Sequence, residues 1–356
     1  MNIGNLIAII ITFGVIVFVH EFGHFLFAKM NGIKVNEFSI GMGPSVATWT
    51  RGETDYSIRA LPIGGYCLME GMNEQSENKN AYNNKSVLAR LSVSLAGPFF
   101  NFILAFLFAI VISHFYTIDP PVLTSVMEDS AASEAGFQEG DVIVALDGKK
   151  IYNYREITLY SMMNSPEKSV EITYQRNGQE NVTTLTRKKD PETGNYYFGF
   201  YSTGRRANSI GEELRYSVLE VRLQIKSTIS SVKMLLTGRA SKDSLMGPVG
   251  IGNTMNDIIE EAKENSAEQT AWARFVVVVM NVINFAVLLS ANLGVMNLLP
   301  VPALDGGKVL FLLIEAISGK PVPPEKEMVV NGIGVALLML LMIFVFFNDL
   351  GNVLQK

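Results

Sequence analysis

His20, Glu21 and His24 form a His-Glu-x-x-His pattern inside a long apolar stretch near the start of the chain. Residues four apart on an α-helix share one face, so the two imidazoles point the same way with the carboxylate beside them. This spacing is typical of a zinc site whose glutamate acts as a general base. Ionisable side chains are costly in a bilayer and usually mark function there. The pattern therefore predicts a zinc enzyme that cuts peptide bonds within a membrane.

A third zinc ligand must come from outside this helix, because catalytic zinc usually takes three protein ligands and one water. The segment 297–307 offers Asp305, among prolines and glycines that interrupt an apolar stretch. Irregular backbone at membrane depth is tolerated only where protein or a water-filled cavity covers it. Asp305 needs a partner in that setting, and Zn²⁺ would provide one. The alternative is an aspartate that caps a helix beginning near Gly307.

These residues predict a mechanism for peptide hydrolysis. Zinc held by His20, His24 and Asp305 would lower the pKa of a bound water from about 15.7 to about 7. Glu21 would accept the proton of that water and pass it to the leaving amine. In the alternative, Glu21 is only a structural carboxylate. His114, the remaining histidine, lies near the far end of the second apolar stretch, where we expect an interfacial surface histidine.

The composition indicates a membrane protein. Of 356 residues, 48% are hydrophobic and 18% are charged, below the roughly 25% charged residues of soluble domains. The net charge of −5 does not suggest a nucleic-acid partner. The single cysteine, Cys67, excludes an intrachain disulfide, a cysteine-based zinc ribbon and an iron–sulfur cluster. We expect Cys67 to be a buried apolar filler.

Four stretches are long and apolar enough to cross a bilayer, which takes about 20 residues. They are 3–27, 91–115, 275–293 and 329–347. The first lacks the basic residues and the small-residue cleavage site of a signal peptide, so we interpret it as a retained helix. Most Lys and Arg residues near the first two stretches lie between them, which predicts a cytoplasmic loop there. The second loop and both termini would then be outside, with the metal toward the cytoplasmic side.

The two long loops contain patterns of regular structure. In the first loop, alternation predicts short strands at 35–40, 45–50 and 55–61, and residues 73–85 are expected to form a mobile polar loop. The second loop predicts a small α/β domain over 122–189, with strands at 122–127, 142–146, 169–175 and 181–187 and a helix at 154–163. Residues 217–236 have helical spacing. That helix could lie on the membrane surface or pack on its own domain, and the pattern does not separate the two.

The chain resembles the site-2 protease family of intramembrane zinc metalloproteases, in particular its bacterial members that act in regulated intramembrane proteolysis. The resemblance is carried by His20 to His24, by Ala-Gly-Pro-Phe-Phe-Asn-Phe at 96–102, and by Asn-x-x-Pro-x-x-x-Leu-Asp-Gly-Gly at 297–307. Segments 38–44 and 61–66 are similar to the membrane-associated β-loop of that family, and 132–148 is similar to a PDZ domain.

The resemblance implies a multi-pass α-helical membrane protein with four transmembrane helices, a membrane-associated β-loop and one extracytoplasmic PDZ-like α/β domain. The implied divisions are 1–30, first transmembrane helix; 31–87, cytoplasmic-side β-loop and polar loop; 88–117, second transmembrane helix; 120–200, PDZ-like domain; 208–270, amphipathic membrane-surface segment; 273–307, third transmembrane helix and broken segment; 308–350, cytoplasmic-side helix and fourth transmembrane helix.

The resemblance also implies the partners. Asn297 and Pro300 are expected to contact substrate, Asn297 at the carbonyl that is attacked; from the residues alone, Asn297 could instead satisfy backbone at the break. The substrates would be single-span membrane proteins already trimmed by a site-1-type protease, such as anti-sigma factors and signal-peptide remnants. The chain has room for one PDZ domain, where some relatives carry two. No clear Gly-Leu-Gly-Phe loop is present, so the domain could bind peptide or exclude bulky substrates by size.

Two other functions are compatible with parts of the sequence. One is a catalytically silent membrane adaptor that binds partners through the PDZ-like domain. The other is a metal transporter that uses His20, His24 and Asp305 as a transit site. The intact Glu21 argues against the adaptor, and the lack of internal repeats argues against the transporter.

Overall fold

The computed structural model describes residues 2–72, 74–190, 194–239 and 246–354. The chain divides into two compact units. The first unit comprises Met1–Phe108 and Leu235–Lys356, and the second comprises Ala109–Met234.

The helices and strands follow one another along the chain. The first part of the chain contains α1 (Ile3–Met30), β1 (Val35–Arg51), β2 (Thr54–Met69) and α2 (Val87–Phe115). The middle part contains β3 (Ser125–Val126), α3 (Ala131–Glu134), β4 (Val142–Leu146), β5 (Lys149–Lys150), α4 (Arg155–Met163), β6 (Val170–Arg176), β7 (Gln179–Leu185), β8 (Lys188–Lys189), β9 (Tyr196–Tyr197), β10 (Phe200–Tyr201) and α5 (Ile210–Leu236). The last part contains α6 (Pro248–Asn265), α7 (Ala271–Leu298), α8 (Asp305–Ser318) and α9 (Pro324–Leu354).

Four of the described helices are long and apolar enough to cross a membrane, and they contain the four stretches predicted from the sequence. These segments are Ile3–Met30, Val87–Phe115, Ala271–Leu298 and Glu325–Gly351. Each has 27 to 29 residues, more than the roughly 20 that span the hydrocarbon core. Helices satisfy every backbone hydrogen bond internally, which is the condition for a segment surrounded by lipid.

Apolar side chains from three helices meet at the centre of the first unit. Ile16 on α1, Leu104 on α2 and Ala286 on α7 are buried in one cluster. A second cluster joins Ile9 of α1 to Met255 and Ile259 of the amphipathic helix α6. The helix α6 therefore packs against the same bundle rather than standing apart from it.

Strands β1 and β2 form a sheet whose apolar side packs against α1 and α2. Residues 37–40 of β1 pair with 65–68 on one side and with 55–58 on the other, and residues 45–51 pair with 54–59. The first two predicted strands, at 35–40 and 45–50, are joined by extended backbone and form the single strand β1. The third, at 55–61, lies within β2. The described part of the polar loop predicted to be mobile contains a short 3₁₀ helix, Tyr82–Asn84. The Tyr82 N–H donates to the Glu70 carbonyl at 2.8 Å.

The second unit is built around a four-stranded sheet of order β5-β4-β6-β7. Its buried cluster includes Ile143, Leu146 and Ile172 from the sheet and Ile157 from α4. The strand predicted at 122–127 is shorter, because only Ser125–Val126 pairs with β10. The helix α5 packs on this unit through Tyr216 and Leu219, which favours the second of the two interpretations of that helix, although its Val218 and Ile229 are exposed.

Candidate metal centre

The helix α1 places His20 and His24 on its buried face. The two imidazoles are 6% and 7% exposed, and Ile16 and Gly23 lie on the same face. The His20 and His24 rings are 4.8 Å apart between centroids and nearly perpendicular. The single-turn spacing thus brings two ring nitrogens together, as the sequence predicted.

Asp305 completes a cluster of three possible metal ligands. Its Oδ2 atom lies 3.1 Å from His20 Nε2 and 3.2 Å from His24 Nε2, and the two Nε2 atoms are 3.3 Å apart. In tetrahedral zinc with bonds of about 2.0 Å, ligand atoms are separated by about 3.3 Å. The measured spacings fit such an ion. Among the described residues, His20, His24 and Asp305 form the one group of His, Cys, Asp or Glu side chains whose ligand atoms are close enough together to hold a metal ion.

Hydrogen bonds on the far side of each imidazole set its tautomer. His24 Nδ1 lies 2.8 Å from the Val93 carbonyl oxygen, an acceptor, so Nδ1 carries the proton and the Nε2 lone pair faces the cluster. His20 Nδ1 lies 3.1 Å from the Asn101 side-chain amide. Asn101 Oδ1 is buried and has no hydrogen-bond partner. Turning the amide by 180° lets Asn101 Oδ1 accept from the His20 Nδ1–H.

Two glycines allow α1 and α2 to approach closely at this level. A Cβ on Gly97 would lie 2.7 Å from His24 Cε1 and 2.8 Å from His20 Cε1. A Cβ on Gly23 would lie 2.6 Å from the Ala96 carbonyl oxygen. All three distances are far shorter than an ordinary contact, so any side chain at these positions would displace the candidate ligands or separate the helices.

The segment between α7 and α8 folds back tightly on itself, which places Asp305 at the start of α8. A Cβ on Gly307 would lie 2.5 Å from the Val301 carbonyl oxygen. Ala303 has a φ of 76°, a conformation that L residues rarely adopt, and its N–H donates to Asn331 Oδ1 of α9 at 3.2 Å. The helix begins at Asp305 rather than near Gly307. Its N-cap residue is Leu304, with no side-chain cap hydrogen bond, so the alternative of a capping aspartate is not supported.

The remaining predicted site residues lie around this cluster. Glu21 is half-buried, and its Cγ lies 3.4 Å from where a Cβ on Gly65 of β2 would be. Asn297 belongs to the last turn of α7, not to the break, and its Nδ2 lies 3.3 Å from His20 Nε2. Pro300 is exposed in the segment after α7. His114 is 60% exposed and lies 3.3 Å from a Glu213 carboxylate oxygen, which agrees with a surface histidine.

Sequence reasoning gave no role to Asn101 and Gly97, which contact the imidazoles. Both lie in the segment 96–102 that resembles the family. The available signal was an amide within an otherwise apolar helix, because a polar side chain in a membrane span usually has a specific partner.

Comparison with known protein families identifies relatives over nearly the whole chain. The sequence model described as peptidase family M50 matches residues 8–341. A protein of Clostridium acetobutylicum is 38% identical over 98% of each chain. The zinc metalloprotease RasP of Shouchella clausii is 32% identical over 98% of this chain and 99% of its own. The regulator of sigma-W protease RasP of Bacillus subtilis is 29% identical over the same shares.

One part of the chain is similar to solved structures. The crystal structure of the PDZ domain of an SdrC-like protein from Listeria monocytogenes covers 24% of this chain and 90% of its own. The two are 21% identical, and the TM-score is 0.22.

Proposed function

Because the chain belongs to peptidase family M50, we propose that it hydrolyses peptide bonds within the transmembrane segments of single-span membrane proteins. The family and the named relatives make the chain a membrane zinc metalloendopeptidase of the site-2 protease family, with Zn²⁺ as its cofactor. This confirms the family, enzyme class and cofactor predicted from the sequence. The residues that carry the activity, the substrates and the orientation in the membrane are parts of the proposal.

The ligand set of the proposal is His20, His24 and Asp305. The observation that carries it is the arrangement of three electron-pair donors, two imidazole Nε2 atoms and a carboxylate Oδ2, at 3.1–3.3 Å from one another in a buried place. Three such donors repel each other unless a cation or protons lie between them. Zinc bound there supplies a Lewis acid for the scissile carbonyl and a water of lowered pKa.

The side chains around the ligands supply the other functions of a hydrolase. Glu21 accepts a proton from the attacking water and delivers it to the leaving amine. The Asn297 amide, 3.3 Å from His20 Nε2, donates a hydrogen bond to the substrate carbonyl oxygen as charge develops there. Asn101 and the Val93 carbonyl keep the imidazoles in the tautomer that leaves both Nε2 atoms free.

Substrate reaches this site in an extended form, because a helical peptide has its carbonyls bonded and cannot present one. Residues 65–68 of β2 pair with β1 on one side, and no further strand pairs with them within the described ranges. A substrate strand added at this free edge would pass beside Glu21, since Gly65 adjoins the Glu21 side chain. Pro300, exposed just after α7, would contact the same strand.

The substrate class and topology complete the proposal. The four apolar helices span the membrane, with the β1–β2 sheet on the cytoplasmic side and the PDZ-like domain outside. The substrates are proteins already trimmed by an upstream protease, with anti-sigma factors and signal-peptide remnants as the two classes. The Bacillus subtilis relative, named a regulator of sigma-W protease, supports the first class. The segment 208–270 would adjoin the membrane surface, with α5 packed on the second unit and its exposed Val218 and Ile229 toward the lipid; its residues 240–245 are outside the described ranges.

The experiment is cleavage of a tagged single-span model substrate in membranes by wild type and by Glu21→Gln. The substitution keeps the size of the side chain and leaves the three ligands in place. We expect wild type to cut a bond inside the span, mapped by mass spectrometry of both fragments, and Glu21→Gln to leave the substrate intact. Equal cutting by both proteins, or a cut outside the span, would contradict the proposal.

A further inference from the structure

A cavity of about 490 Å³ opens in the first unit beside the first turns of α8. Its walls come from the loop after β2, the start of α2, the helix α8 and the start of α9. Along α8 it reaches from Lys308 to Glu315. Seven residues of helix at a rise of 1.5 Å cover about 10 Å, which is the length of about three residues of extended peptide.

Lys308 brings the positive charge of this cavity close to the metal centre. It follows Asp305 by three residues on α8, so the two side chains lie on neighbouring positions of one helix face, with Cβ atoms about 5–6 Å apart. Its Nζ lies 3.7 Å from Met72 Sδ, and a thioether is a weak acceptor. Within the described ranges, no carboxylate forms a salt bridge with Lys308.

The other basic residue that lines the cavity, Arg90, is already neutralised. Arg90 forms an ion pair with Glu315, and the two side chains are only 13% and 14% exposed. Among the described residues that line the cavity, Lys308 is therefore the cation without an ion-pair partner. Lys308 is partly exposed where it lines the cavity, so an anionic ligand that entered there would give its ammonium a charged partner.

We propose that this cavity binds the peptide fragment that ends in the newly formed carboxylate, and that Lys308 binds that carboxylate. The inference rests on the proposed function. In peptide hydrolysis the water oxygen adds to the carbonyl carbon, the C–N bond breaks and a proton goes to the leaving amine. One fragment then ends in a carboxylate, formed at the cluster that contains Asp305 and thus about one helical turn from Lys308. The charge of Lys308 is complementary to this fragment and not to the ammonium of the other.

A competing interpretation uses Glu327, which also lines the cavity. Lys308 and Glu327 could form a water-bridged pair that only stabilises the fold. The two interpretations predict different results for the substitutions Lys308→Met and Glu327→Gln. If the pair is structural, either substitution removes it and the two have the same effect. If Lys308 binds the product, only its own substitution weakens binding of a carboxylate.

The test measures binding of two labelled peptides to the zinc-loaded full-length protein in detergent micelles. The peptides have the sequence of the amino-terminal cleavage fragment of the model substrate, one with a free carboxylate and one with a terminal amide. The proteins are wild type, Lys308→Met, Lys308→Arg, Glu327→Gln and the exposed-site control Lys320→Met. The terminal amide cannot form a charge-assisted hydrogen bond with Lys308, so we expect the carboxylate peptide to bind wild type at least about tenfold more tightly than the amide.

We expect Lys308→Met to lose at least about tenfold in affinity for the carboxylate peptide while its affinity for the amide changes little. Lys308→Arg should keep most of the preference, and Glu327→Gln and Lys320→Met should keep all of it. An unchanged preference in Lys308→Met, or an equal loss in Glu327→Gln, would overturn the inference. Failure of the proposed function is distinguishable, because wild type would then not cut the model substrate at all.

Discussion

Replacing Gly97 by alanine should remove zinc without touching a candidate ligand. The new Cβ would lie 2.7 Å from His24 Cε1 and 2.8 Å from His20 Cε1, and closer still to His24 Nε2. An ordinary contact between carbon atoms begins at about 3.4 Å, so the rings must retreat by at least about 0.6–0.7 Å. Metal–ligand distances tolerate changes of only about 0.2 Å. The methyl group and the ion therefore cannot both be accommodated in this packing.

The expected size of the effect is a loss of at least 100-fold in zinc affinity. Substitutions that only disturb the hydrogen-bonded surroundings of metal ligands typically cost about 10- to 100-fold, and Gly97→Ala displaces the ligand atoms themselves. The assay is titration of the purified full-length protein with zinc against a competing chelator, together with cleavage of the model substrate.

The matched control is Gly332→Ala on α9. Gly332 also lies within an apolar helix, but outside its own stretch of helix backbone no atom lies within 4 Å of a Cβ built on it. This variant should bind zinc and cut substrate as wild type does. Wild-type zinc affinity in Gly97→Ala would refute the packing argument and with it the placement of the zinc beside Gly97, among the ligands from α1 and α8.

Three further predictions concern the surroundings of the site and the second unit. Asn101→Ala should lower zinc affinity about 10- to 100-fold, measured by the same titration, because the His20 Nδ1–H loses its acceptor. Asn297→Ala should keep zinc bound and lower kcat about 100-fold, as expected for loss of one donor to the developing oxyanion, measured by initial rates of cleavage. Hydrogen bonds from Lys168 and Tyr160 lower the pKa of Asp147 to about 2. The contribution of the ionised carboxylate to stability is therefore present above about pH 4 and is lost as the pH falls toward 2. Hydrogen exchange of β6 should increase over that pH range in wild type, with a smaller increase in Asp147→Asn.

The positions of the apolar helices and of the histidine pair could be predicted from the sequence because they depend on local patterns. A run of about 20 apolar residues predicts a span, and a spacing of four predicts two imidazoles on one helix face. Asp305 could be predicted as a ligand because a carboxylate at membrane depth is energetically costly unless it has a partner. The structure brings these three side chains together at 3.1–3.3 Å.

The details that depend on contacts between distant segments could not be predicted. The close approach of Gly97 to the imidazoles arises from the packing of α2 on α1, which no local pattern encodes. The continuous extension of β1 over Val35–Arg51 depends on its pairing with both halves of β2, whereas the local alternation predicted two separate strands at 35–40 and 45–50. The helix α7 continues through Asn297 to Leu298, because the break begins only at the turn before Pro300.

The central claim is that His20, His24 and Asp305 hold one zinc ion, and the zinc content of purified full-length Asp305→Ala tests it most directly. Glu21→Gln, which changes the neighbouring carboxylate but none of the three ligands, is the matched control. The account predicts about one zinc per chain in wild type and in Glu21→Gln, and zinc below the detection limit in Asp305→Ala after dialysis against a chelator that leaves wild type loaded. Full zinc retention by Asp305→Ala would contradict it.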